Sequence, residues 1–143
     1  VRTQEELLAQ ADILSIHAPL TRHTRGFIGA EQVRRLPAGA TVVNTARGPM
    51  LDIEALYDAM KDGHVGAAGL DVIPDEPPAD PPPRLLAAYR ARESWLDGRL
   101  VITPHSAFYT PDAYDDIRTK SAETMRDVLL DGLRSNVITP EMD

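Results

Sequence analysis

Apolar and polar positions along the chain switch repeatedly between two periods. Thr3-Gln4-Glu5-Glu6 has the S/T-x-x-E spacing of a capping box, which predicts a helix from there through Gln10. Residues 11–19, ADILSIHAP, form a short apolar run closed by proline, as a buried strand does. Residues 24–36, TRGFIGAEQVRRL, return to helical spacing and stop at Pro37. ATVVNTA, residues 40–46, predicts a second strand. DIEALYDAMKDGH, residues 52–64, predicts a helix with Asp52 near its start and Gly63 as its C-terminal stop. VGAAGLDV, residues 65–72, and LVITPH, residues 100–105, give a third and a fourth strand. Thr110-Pro111 then opens a long helix, with proline at the first helical position, reaching about Gly132.

Strands alternating with helices define an α/β domain with a Rossmann-like parallel sheet, helices on both of its faces. One irregular stretch, residues 73–99, interrupts the alternation. Its prolines forbid regular structure up to Pro83. RLLAAYRARESWL, residues 84–96, predicts a short surface helix whose Trp95 packs back on the domain or meets a partner. The 143 residues correspond to one domain. No strand precedes the first helix and the chain opens on Val1, so it reads as part of a longer protein.

A formal net charge of −7 argues against nucleic acid or an anionic membrane as a partner. There is no cysteine, hence no disulfide or thiolate chemistry. No apolar run reaches the ~18 residues of a membrane span, and no signal peptide is visible, which points to the cytoplasm. The four histidines lack metal-ligand spacing, so no metal is expected. His17 reads as a satisfied strand-end histidine, and His23 and His64 as exposed polar residues.

Ligands of open parallel sheets bind beyond the carboxyl ends of the strands. Those ends carry Ala18 and Pro19, then Thr45, Ala46 and Arg47, then Asp71 with Glu76, then His105 with Ala107. Taken singly, each has a bland reading: a surface ion pair for Arg47, a solvated carboxylate for Glu76, a turn residue for Asp71, a strand cap for His105. However, Arg47, Glu76 and His105 follow one another at intervals of 29 residues, about one strand-helix-strand step. All three should therefore rise on one edge, as an acid-base pair beside an anion clamp.

NTARG, GLDV with DEP shortly after it, and TPHSA appear in that order over nearly the whole chain. Together they resemble the D-isomer-specific 2-hydroxyacid dehydrogenases. PHSAFY and the insertion ending in WLDGRLVITPH resemble the branch containing the C-terminal binding proteins, which are NAD-dependent corepressors. The resemblance implies the second half of an NAD-binding domain, with residues 133–143 returning toward a substrate domain. It also implies a homodimer. It makes Arg47 the substrate-binding arginine, His105 the acid-base and Glu76 the carboxylate partner of that histidine. Asp71 would lie near the nicotinamide carboxamide. Ala18, Pro19, Thr24, Thr45, Ala46 and Ala107, with Arg47 and His105, would line the nicotinamide end of the cofactor. The family's G-x-G-x-x-G turn, which cradles the pyrophosphate at a helix N-terminus, is absent from this sequence, as is the acidic ribose-binding residue. The expected cofactor is NAD, with NADP as the alternative.

The residue types suit the implied chemistry. A guanidinium fork matches a carboxylate bidentately, and a 2-oxo or 2-hydroxy acid carries its carboxylate next to the reacting carbon. A histidine ordered by a carboxylate can give or take the proton. Three function classes fit: an oxidoreductase, an NAD-sensing interaction module, and an inactive remnant. The intact trio favours the first.

Overall fold

In the computed structural model the described residues are 3–134. The chain divides into two compact units, Val1–His105 and Ser106–Asp143. The first unit holds α1 (Gln4–Leu8), β1 (Ile13–Ile16), α2 (Ala30–Arg35), β2 (Ala40–Asn44), α3 (Ile53–Lys61), β3 (Val65–Leu70), α4 (Arg84–Arg90) and β4 (Leu100–Ile102). The second holds α5 (Pro111–Leu130). Residues 135–143, most of the segment expected to return toward a substrate domain, lie outside the described residues.

The four strands form one sheet in the order β1-β2-β3-β4, every pair parallel. Each strand is thus added beside its predecessor through a helical crossover. Within the first unit the helices flank the sheet, with α1 packed on α2, α2 on α3, and α3 on α4. Crossovers of one hand that always step in the same direction place their helices on the same face. The strand pattern agrees: Leu14 and Ile16 are buried while Ile13 and Ser15 between them are exposed.

Local signals account for most element ends. The Thr3 hydroxyl accepts from Glu6 N–H (3.2 Å) and the Glu6 carboxylate accepts from Thr3 N–H (3.0 Å), closing the predicted capping box. Asp52 Oδ1 accepts from Glu54 N–H and Ala55 N–H at the start of α3. Thr110 Oγ1 caps α5 through Ala113 N–H, with Pro111 in the first turn. The core beneath the sheet includes Val33, Val42, Leu56, Met60, Val65 and Leu85, all fully buried.

Three expectations change. Only Ala30–Arg35 of residues 24–36 is helical. Gly26 N–H and Ile28 N–H donate instead to the carbonyls of Pro49 and Met50, and Ile28 O accepts from Asp52 N–H. That stretch spends its backbone on a neighbouring loop, which rules out its own helical ladder. The helix at Arg84–Arg90 is not confined to the surface, since Leu85, Leu86 and Ala88 are buried. Trp95 packs back on the domain, edge-on to Tyr57 at 5.6 Å between centroids, with Lys61 over its ring. His64 is half-buried rather than exposed, and its Nε2 is enclosed with no hydrogen-bond partner. His17 is satisfied as expected, its Nε2 2.7 Å from Ser15 Oγ.

Candidate functional site

The chemistry gathers at the carboxyl ends of the strands. Past β4, His105 takes a left-handed backbone conformation with φ of 53°. A non-glycine residue held there is strained, and such strain persists only where surrounding bonds enforce it. Here His105 N–H is shared between the carbonyls of Asp71 (2.9 Å) and Thr103 (3.0 Å). Past β3, the Glu76 carboxylate is fixed from two sides. Its Oε1 accepts from Ile73 N–H (3.1 Å) and its Oε2 lies 2.6 Å from His105 Nδ1. The two side chains are 41% and 37% exposed. An ion pair so open to water contributes only about 0–1 kcal/mol to stability. Its consequence is orientation: a carboxylate on Nδ1 fixes the ring and leaves Nε2 as the nitrogen for proton transfer.

Asp71, 4% exposed, is one of two buried polar residues among those described; the other is Asn44. Thr103 Oγ1 donates to Asp71 Oδ1. Asp71 N–H donates to Asn44 O, and its own carbonyl holds His105 N–H. It therefore ties together the ends of β2, β3 and β4. Asp71, Glu76 and His105 share a cleft of about 380 Å³ with Leu86 and Arg90.

Arg47 lies in a second cleft, of about 500 Å³, with His17, Ala18, Pro19, Thr45 and Ala46. Its Nη1 donates to Ala46 O (2.7 Å), and it meets no carboxylate among the described residues. Gly48, next to Arg47, packs against the backbone of Ile73 and Pro74. A methyl group there would fall 1.8 Å from the carbonyl oxygen of Ile73. Only glycine lets the loop after Arg47 lie against the loop leading to Glu76, which is the physical reason for the glycine in NTARG.

Of the residues expected to line a cofactor, Ala18, Pro19, Thr45 and Ala46 stand together at the Arg47 cleft. Thr24 does not join them as a lining residue. Its hydroxyl closes its own loop, donating to Pro19 O (2.6 Å) and accepting from Thr21 N–H (2.7 Å). It shapes the backbone that presents Ala18 and Pro19. Ala107 is exposed in the second unit. Two residues escaped the sequence reading: Arg90, which a helical pattern does not connect with His105, and Asn44, which read as one more strand residue.

Small side chains at Ala18, Thr45 and Ala46, with Asp71 at the adjacent strand end, suit the flat, amide-bearing nicotinamide end of a dinucleotide.

A parallel sheet with its polar residues concentrated beyond the carboxyl ends defines a dinucleotide-binding domain of the Rossmann class. Residues 1–107 match the family described as D-isomer specific 2-hydroxyacid dehydrogenase, NAD binding domain, and the chain belongs to that family. It is 41% identical over 133 residues to the D-3-phosphoglycerate dehydrogenase of Methanocaldococcus jannaschii, covering 93% of this chain and 23% of that one. Among solved structures, a D-lactate dehydrogenase from Treponema pallidum superposes with a TM-score of 0.79 at 30% identity, covering 96% of this chain and 43% of that one. D-Lactate dehydrogenase from Aquifex aeolicus, solved with NAD and lactic acid, gives 0.73 at 27% identity, covering 96% and 45%. The chain spans about a fifth to a third of the length of the curated relatives it matches. No helix among the described residues is long and apolar enough to cross a membrane.

Proposed function

We propose that this chain supplies the catalytic half of an NAD(P)-dependent dehydrogenase that interconverts a 2-oxo acid and the D-2-hydroxy acid. The observation that carries the reading is the Glu76–His105 hydrogen bond, built on a strained His105 backbone at the carboxyl edge of a parallel sheet. When bound, the nicotinamide supplies or accepts the hydride.

The chain's own residues do the rest. Arg47 clamps the substrate carboxylate, which fixes the neighbouring carbon for attack. His105 Nε2 delivers a proton to the oxygen of the reduced carbon, and removes it in the reverse direction. Glu76 keeps the ring facing that oxygen by holding Nδ1. Such acid-base help is worth about 10²–10⁴-fold. Asp71 holds the backbone on which His105 sits and offers a carboxylate near the carboxamide. Ala18, Pro19, Thr45 and Ala46 form the wall of the nicotinamide end.

The test is a panel of 2-oxo acids, with NADH and with NADPH, on the full-length protein. Turnover of at least one acid to the D-product is expected. No turnover of any would overturn the reading. The PHSAFY stretch supports a second reading, a cofactor-sensing module like the C-terminal binding proteins, whose assembly state follows cofactor occupancy. Light scattering on the same protein separates the two. A dimer that persists without NADH, together with turnover, supports the enzyme. Assembly that requires NADH, without turnover, supports the module.

A further inference from the structure

Burying a polar side chain costs free energy unless its hydrogen bonds are replaced, so a buried amide among apolar strand residues calls for a reason. Asn44 ends β2 at 1% exposure. Its Nδ2 donates to Arg47 O (3.0 Å) and its Oδ1 accepts from Ala46 N–H (3.0 Å). One side-chain amide thus pins both backbone groups that bracket Arg47, in the manner of an Asx turn. The Asn44 backbone carbonyl accepts from Asp71 N–H (2.9 Å), and Asp71 O accepts from His105 N–H (2.9 Å). The next residue beyond Arg47, Gly48, lies against the backbone that leads to Glu76. Asn44 is therefore the point at which the Arg47 loop is referenced to the His105 and Glu76 loops. The Asn44 amide bonds to backbone groups, while the Arg47 guanidinium donates to Ala46 O.

We infer that Asn44 is a positioning residue for substrate binding: its amide sets the backbone from which Arg47 reaches the substrate carboxylate. This rests on the role proposed above for Arg47. A purely structural asparagine would lower stability and leave substrate affinity alone.

The test is a double-mutant cycle in the full-length enzyme with Asn44→Ala, Arg47→Lys and the pair. Asn44→Ala is expected to raise KM for the 2-oxo acid about 10- to 100-fold through misplacement of the guanidinium. KM for NADH should rise less than KM for the 2-oxo acid, because Asn44 touches the nicotinamide wall only through Ala46 N–H. In the Arg47→Lys background, Asn44→Ala should add little further loss in kcat/KM, while its effect on Tm persists. Losses that multiply in the double variant, with Arg47→Lys itself impaired, would overturn the role of Asn44 and leave that of Arg47 standing. A near-wild-type Arg47→Lys would overturn both. Should the alanine variant fail to fold, Asn44→Asp runs the same cycle. It keeps the shape and the acceptor for Ala46 N–H but loses the donor to Arg47 O.

Discussion

Two arginines at opposite ends of the same sheet put identical chemistry to different uses. Arg99, half-buried where β4 begins, spends its guanidinium on four backbone carbonyls: Gly66 (2.7 Å), Val65 (2.7 Å), Met60 (3.0 Å) and Trp95 (3.1 Å). Those are the end of α3, the start of β3 and the turn before β4, so one side chain satisfies orphan carbonyls from three segments. Arg47, exposed where β2 ends, gives one bond to its neighbour's carbonyl. The glycines repeat the contrast. A methyl on Gly66 would meet the Gly39 carbonyl at 2.5 Å, in a contact that only packs the fold. Gly48 makes its close approach between two loops that carry Arg47 and Glu76. A guanidinium saturated by carbonyls serves stability, and one left largely unspent beside a cleft is available to a ligand.

The largest expected effect comes from removing the proton carrier at the open end. His105→Gln in the full-length enzyme should lower kcat about 10²–10⁴-fold with little change in Tm, read by steady-state kinetics and thermal melts. Equal activity would end the distinction between the two ends of the sheet. Next, Arg99→Ala should cost about 2–4 kcal/mol of stability, since charge-assisted bonds to several carbonyls are lost at once. Chemical denaturation measures this, and kcat/KM of the folded fraction should be unchanged. A variant as stable as the parent would show that those four contacts are replaced by water.

Arg47→Lys should reduce kcat/KM about 10- to 100-fold, because an ammonium attracts a carboxylate without fixing its plane. Its Tm should not move, the reverse of Arg99→Ala. The smallest effect lies outside both ends. Asp62 is held below the usual carboxylate range by hydrogen bonding to Arg34 and then by His64 N–H. A depressed folded-state pKa contributes stability above the ordinary carboxylate pKa, and that contribution is lost as pH falls through the folded value. The pair is exposed, so the effect is small. Comparing melts of the parent and Asp62→Asn from pH 7 down to pH 3 should show the parent's advantage fading on the acid side. An advantage independent of pH would assign it to some other cause.

The features legible in the sequence are those whose physics is local. The Thr3–Glu6 box, the Asp52 and Thr110 caps and the proline that starts α5 each act within about one helical turn, and all were readable. So was the shared edge of Arg47, Glu76 and His105. A strand-helix alternation makes every second element a strand, and in a parallel sheet all those strands end on one edge, where Glu76 lies on His105. The failures have the opposite character. Residues 24–29 follow helical spacing, yet the backbone groups of Gly26 and Ile28 bond to residues 49–52, a choice made by packing and not by period. Arg99, Asn44 and Arg90 carry no pattern of their own. Arg99 finds its carbonyls 33 to 39 residues away at Gly66, Val65 and Met60. Asn44 matters because β3 and β4 bring Asp71 and His105 up beside it. The sequence determined alone where α1, α3 and α5 begin, which segments are strands and which end of the sheet holds Arg47, Glu76 and His105, since neighbours along the chain decide those. The tertiary structure decided which polar group completes which, because a hydrogen bond is set by atoms brought within about 3 Å, and only packing brings distant segments that close.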